Sequence, residues 1–162
     1  MSTDRRQLGI TYAGAPGQQR AMYDERMVAP MRRELTEIGF EELRTADEVD
    51  TALRGQSGTA LVLVNSVCGC SARMARPAAR IAVEGGVRPD RLYTVFAGQD
   101  ADATERARGY FTGYPPSSPS FAILRDGDLV WMMERRQIEG RPAPEIALEL
   151  IAAFEAHQKD AG

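Results

Sequence analysis

Thr59-Ala60-Leu61-Val62-Leu63-Val64-Asn65, continuing into Ser66-Val67-Cys68-Gly69-Cys70, is the stretch whose reading decides the fold. Its first seven residues form a near-continuous apolar and β-branched run. That pattern predicts a central strand buried on both faces rather than a strand with one wet side. The cysteines follow at once. Beyond them Ser71 to Val83, rich in alanine and arginine, predicts a helix with Pro77 inside it. Both thiols of the chain are therefore expected where a central strand ends and a helix begins.

Working outward, Met27, Met31, Leu35 and Ile38 recur at spacings of four and three, the signature of one helix face. This predicts a helix between Ala21 and Ile38, with Pro30 causing a kink or a late start and Gly39 as its stop. Phe40 to Leu43 predicts a short strand, and Asp47 to Leu53 a short helix ended by Gly55. After the cysteine helix, Leu92 to Ala97 is a second apolar strand. Gly98-Gln99-Asp100 turns the chain into a helix over Ala101 to Tyr110, with Asp100 as its expected cap. Tyr114-Pro115-Pro116-Ser117-Ser118-Pro119 is incompatible with helix interior. Ser120 to Leu124 and Leu129 to Met133 form a hairpin through Arg125-Asp126-Gly127-Asp128. Ile138 to Pro142 is a loop, and Pro144 opens a last helix whose face is Ile146, Leu150 and Phe154.

Alternating strands and helices with a terminal hairpin define an α/β class with a mixed central sheet flanked by helices. Cysteines at the mouth of the helix after a central strand, and a proline just before the later hairpin, are placed as in thioredoxin-like folds. On that placement the Ser118-Pro119 bond is expected to be cis, a form essentially limited to X-Pro. Residues 1–20, polar and Gly-rich, are expected to be a flexible N-terminal tail, and residues 21–160 one domain.

The 162 residues suffice for a hydrophobic core without staples. A net charge of −3 gives no electrostatic reason to expect nucleic acid as a partner. No window approaches the ~20 apolar residues of a membrane span. The first residues lack the apolar centre of a secretory signal, so a cytoplasmic protein with no membrane partner is expected. Two cysteines do not make a structural disulfide framework.

A thiolate, not a thiol, is the nucleophile, and the unpaired N–H groups and positive dipole end of a helix N-terminus stabilise it. Cys68, outside the first turn, is expected to be the more exposed sulfur and the attacking one, with Cys70 as resolving partner. Arg73 and Arg76, one and two turns on, are candidates to add positive potential. The single-residue spacing matters. Positions i and i+2 point apart on a helix, and two extended residues span up to ~7 Å, close to the ~6.8 Å limit for bridged Cα atoms. A Cys68–Cys70 ring thus needs a tight bend, for which Gly69 supplies freedom, and strained disulfides are easily reduced. Such a pair suits isomerisation or a monothiol cycle better than general reduction. Zinc and Fe–S sites usually want four ligands, and this chain adds only His157, distant in sequence. A metal or Fe–S carrier would therefore have to share its cysteines across a homodimer. A redox-sensing binding module is a third reading.

The blocks Val64-Asn65-Ser66-Val67-Cys68-Gly69-Cys70-Ser71-Ala72, Ala75-Arg76-Pro77-Ala78, Thr94 to Asp100 and Tyr110 to Ser120 resemble the bacilliredoxins. Met31 to Thr36 and Ile138-Glu139-Gly140 extend the resemblance over roughly Met22 to His157. It implies a thiol–disulfide oxidoreductase that removes bacillithiol, or a similar low-molecular-weight thiol, from protein mixed disulfides, with disulfide isomerase activity also proposed for such proteins. Cys68 would be the nucleophile and Cys70 its partner. Pro119 would shape the client groove, with Ser118 and Gly69 beside it. Arg76 would either meet the carboxylates of the small thiol or lie on a solvated helix face. Bacillithiol would be a co-substrate, no cofactor is expected, and the chain would act as monomer or homodimer. Some members carry a C-terminal cysteine where this chain has Gln158. Asn65 and Ser66 either hydrogen-bond the cysteine loop or simply supply the turn chemistry there; both readings explain them equally well.

Overall fold

The computed structural model describes residues 21–160; the expected tail over residues 1–20 lies outside them. In chain order the elements are α1 (Glu25–Thr36), β1 (Glu41–Glu42), α2 (Ala46–Leu53), β2 (Thr59–Asn65), a π-helical turn (Ser71–Ala75), α3 (Arg76–Val83), β3 (Arg91–Phe96), α4 (Ala101–Arg108), β4 (Ser120–Arg125), β5 (Asp128–Met133), a 3₁₀ turn (Arg135–Gln137) and α5 (Ala143–Asp160).

The five strands form one sheet in the order β1-β3-β2-β4-β5. β3 runs parallel to both β1 and β2, whereas β4 is antiparallel to β2 and to β5. Every residue of β2 is buried. Leu61 and Leu63 enter the core shared with α1, α3 and α5, while Ala60, Val62 and Val64 enter the core shared with α2 and α4. That division is why the run reads as apolar without alternation. On the first face Ala75, Ala78, Ala79 and Ala82 are fully buried, and their small side chains let the helix lie close to the sheet.

Local chemistry explains the boundaries. The Thr45 hydroxyl accepts the Glu48 N–H at 3.1 Å and caps α2. Asp126 and Gly127, with φ of 53° and 88°, make the tight hairpin turn. A Cβ on Gly127 would lie 2.8 Å from the Gly55 nitrogen, so the hairpin also needs glycine for close approach. The Ser118–Pro119 peptide is cis, as expected.

Helix α1 departs from expectation. Its buried face is Val28, Arg32 and Leu35, whereas Met27 is 46% exposed. A charged residue therefore occupies the centre of the inward stripe. Arg32 donates to Asp100 Oδ2 at 2.7 Å, Glu25 Oε2 at 2.7 Å and Glu42 Oε2 at 2.9 Å, and its guanidinium lies 5.3 Å from the centre of the Phe96 ring. Asp100 consequently does not cap α4 with its side chain; its carboxylate is committed to Arg32. Pro30 sits inside α1, forgoing one helical hydrogen bond.

Removing one partner from a buried ionic cluster leaves the others uncompensated. Arg32→Met is expected to lower unfolding free energy by about 3 kcal/mol in urea denaturation, and adding Asp100→Asn is expected to recover part of it. A loss below about 0.5 kcal/mol would mean that water, not Arg32, solvates these carboxylates.

Candidate active site

The chain leaves β2 at Asn65, and the next eleven residues turn it into α3. Asn65 is buried and governs that corner. Its Oδ1 accepts the Ser66 N–H at 2.9 Å and Arg76 Nη1 at 2.8 Å, and its Nδ2 donates to the Met31 carbonyl at 3.3 Å. Arg76 Nη1 also donates to the Ser66 carbonyl at 2.9 Å, and its Nε to Glu34 Oε1 at 2.8 Å. Arg76 is only 3% exposed. Both sequence expectations for it are thus corrected: it is neither a solvated helix charge nor a group presented to a ligand. It cross-links α1 to the corner.

Its inward aim follows from the π turn. The Arg76 N–H reaches the Ser71 carbonyl five residues back. Pro77 has no N–H, and its ring would crowd the carbonyl four residues earlier in a regular helix; widening the turn relieves that conflict.

At the tip, the Cys68 carbonyl accepts the N–H groups of Ser71 and Ala72, each at 3.1 Å. The Cys68 sulfur lies 3.1 Å from Ser66 Oγ, which lies 2.8 Å from Ser71 Oγ. Both hydroxyls are buried and available to the sulfur. Partial burial pushes the Cys68 thiol up, but it is outweighed. The Ser66 hydroxyl, the N–H groups of Ser71 and Cys70, and the Ser71 hydroxyl hold its pKa below the ordinary thiol value. Cys70 goes the other way: burial and the neighbouring Cys68 charge raise it. Both cysteines are free. Both are half-buried, so neither stands out as the more exposed sulfur; Cys68 turns toward the Ser66 and Ser71 hydroxyls, while Cys70 turns toward Glu139 Oε2 at 3.8 Å and Arg135 Nη2 at 3.9 Å.

Half-burial does not close the site. Cys68 lines an open depression of about 240 Å³ with Tyr23, Ser66, Gly98, Ser118 and Arg135. Ser118 lines the same depression as the sulfur, whereas Pro119 is buried and does not line it. Gly69 lies between the cysteines, with a Cβ position only 2.8 Å from Arg73 Nη2, so its lack of a side chain lets that guanidinium lie across it.

Arg135 is the residue that sequence reasoning missed. It opens the 3₁₀ turn just past β5 and reaches the cysteines only because the hairpin folds back. It donates to Glu139 Oε2 at 3.1 Å and to the Ser118 carbonyl at 3.4 Å. Glu139, followed by the two sulfurs, raises its pKa, so its charge is felt by both thiols.

Among the described residues no three His, Cys, Asp or Glu side chains gather as a metal site. His157 is on α5 next to Gln158, whose Oε1 accepts the hydroxyl of Thr59 at the far end of β2 from Cys68. No helix among the described residues is long and apolar enough to cross a membrane.

A family model described as "disulphide isomerase" matches residues 23–158. A bacilliredoxin of Koribacter versatilis is 58% identical over 136 residues, 84% of this chain and 94% of that protein. The chain belongs to the bacilliredoxin family. A second bacilliredoxin, from Geobacillus kaustophilus, is 56% identical over 131 residues, 81% of this chain and 90% of its own. Among solved structures, Chlamydomonas reinhardtii thioredoxin f2 matches with a TM-score of 0.52 at 19% identity, covering 74% of this chain and 97% of its own. Malassezia sympodialis thioredoxin gives 0.52 at 14% identity, over 74% and 91%. These likenesses establish the thioredoxin fold of this bacilliredoxin-family chain.

Ser66→Ala removes the hydroxyl nearest the sulfur. The Cys68 pKa is expected to rise by about one unit, the size of one hydrogen bond to a charged group. The pH dependence of iodoacetamide alkylation in a Cys70→Ala background measures it. An unmoved profile would leave the helix N–H groups and the Ser71 hydroxyl as the source of the depression.

Proposed function

We propose that this protein, a thiol oxidoreductase, removes bacillithiol or a similar low-molecular-weight thiol from client mixed disulfides through Cys68. The observation that carries this reading is a sulfur held below its ordinary pKa by Ser66 and helix N–H groups while lining an open depression. A thiolate in that state attacks disulfide sulfur readily at neutral pH.

The exchange balances without a cofactor. The Cys68 thiolate attacks the small thiol's sulfur in the client mixed disulfide. That S–S bond breaks, a new one forms to Cys68, and the client leaves as a thiolate that takes a proton from water. A second small thiol, as thiolate, then attacks the adduct and regenerates Cys68, releasing a symmetric small disulfide. Alternatively Cys70 attacks Cys68, releasing the small thiol and leaving a ring that an external thiol must reduce.

Geometry favours the first route. Cys70 is already helical, with φ −64° and ψ −33°. Closing the ring means opening the first helical turn. Burial also raises the Cys70 pKa and holds it as a thiol. Isomerisation uses the same first attack, so disulfide isomerase activity belongs to the same proposal, as does action in a reducing cytoplasm on bacillithiolated clients.

Intact-mass spectrometry after incubation with a bacillithiolated client tests the reading. Wild type is expected to gain one small-thiol adduct on Cys68 while the client loses it. Cys68→Ser is expected to do neither, and Cys70→Ala to keep turning over when free small thiol is supplied. A Cys68→Ser protein that clears the client at the wild-type rate would end the proposal.

A further inference from the structure

A second, larger cavity of about 420 Å³ adjoins the Cys68 depression. Gly98 lines both. The chain segments around them are also shared: Met22 walls one and Tyr23 the other, and Pro116 walls one and Ser118 the other. Gly98 has φ +83°, and a Cβ there would meet the Tyr23 ring at 3.3 Å and Met22 Sδ at 3.5 Å. The boundary between the two spaces is therefore kept low by a residue without a side chain.

Arg108, at the end of α4, stands in the wall of the larger cavity. Its guanidinium is half-buried, yet its one hydrogen bond among the described residues is from Nη2 to the Ser117 carbonyl at 3.3 Å. Its Nε is buried with no partner among the described residues. Among the described residues no carboxylate pairs with it, unlike the buried guanidiniums of Arg32 and Arg76. Burial accordingly pushes its pKa below the ordinary arginine value. A partly desolvated guanidinium facing a cavity without an anion is a site for a carboxylate, whose two oxygens match its fork of donors. Glu105, one turn earlier on the same wall, offers an acceptor for an ammonium or hydroxyl group.

We propose that this cavity seats the non-sulfur end of a carboxylate-bearing small thiol, with Arg108 receiving the carboxylate while the thiol's sulfur crosses Gly98 to Cys68. This deepens the reading of Cys68 as the exchanging nucleophile and rests on it. It also supplies the anion-recognising arginine that Arg76, turned inward, does not provide. Arg108 is here a specificity residue rather than a catalytic one.

The test compares two aryl disulfides on the full chain in a Cys70→Ala background. One is dithiobis(nitrobenzoate), with a carboxylate on each ring; the other is uncharged dithiodipyridine. With either, the Cys68 thiolate attacks one sulfur, the S–S bond breaks, one arylthiolate leaves and the other aryl group stays on Cys68. Arg108→Gln is expected to lower the anionic-to-neutral rate ratio about tenfold, the effect of one hydrogen bond to a charged group, with the neutral rate unchanged. Arg80→Gln, removing the same charge from an exposed position on α3, is expected to leave the ratio alone. An unchanged ratio in Arg108→Gln, or equal slowing with both reagents, would overturn the proposal and assign Arg108 to holding the Ser117 loop. If neither reagent modifies Cys68 in the parent protein, it is the nucleophile assignment that fails. Titrating succinate into Cys68→Ser protein, followed by the Arg108 Nε–H resonance, probes the pocket without the sulfur and without altering Arg108. Saturable movement of that resonance supports the site, and a stationary resonance refutes it.

Discussion

The site depends on one buried guanidinium. Arg76 joins the side chain of Asn65, the carbonyl of Ser66 and the carboxylate of Glu34. It thereby locks the last residue of β2, the corner after it and helix α1 into one body. A buried arginine is costly unless its donors are matched. Two of those three partners are parts of the corner itself, so the energy that satisfies the charge also fixes the backbone from which Ser66 and Cys68 project. Ser66 then has one place for its hydroxyl, between the Ser71 hydroxyl and the Cys68 sulfur.

A second buried arginine does similar work close by. Arg32 gathers Glu25, Glu42 and Asp100 from three segments beside the carboxyl end of β3. Gln99, next to Asp100, holds both backbone groups of Tyr23, which itself lines the Cys68 depression. Open α/β sheets place ligands beyond the carboxyl ends of their strands because loops there diverge and leave room. In this chain the diverging loops are tied down by charge, with apolar contact confined to the two cores on either side of the sheet.

Much of this architecture was legible in the amino-acid order, for local reasons. A strand covered on both faces must be apolar throughout, so Thr59 to Asn65 could hardly be read otherwise. Asp126-Gly127 announces its turn because few residue pairs accept positive φ twice in succession. What escaped was decided at a distance. Arg32 interrupts the apolar stripe of α1, so the periodicity points to Met27 and Met31, one position off the true face. Arg76 resembles any helix-surface arginine until Glu34, 42 residues earlier, is brought against it. Arg135 carries no local signal at all, since only the return of the hairpin sets it beside the cysteines. The hydroxyl pair beside Cys68 is hidden for the same reason: it closes across the corner, not along it.

The widened turn at Ser71–Ala75 has a consequence for how this helix divides its labour. Adding one residue to a turn rotates everything downstream by about 100° relative to everything upstream. The cysteine-bearing end and the alanine-lined end of the same rod are thus set to different angular phases. The phase offset lets the outer end aim its sulfur by the needs of chemistry while the inner end seats its small side chains by the needs of packing, a vernier cut into a single helix.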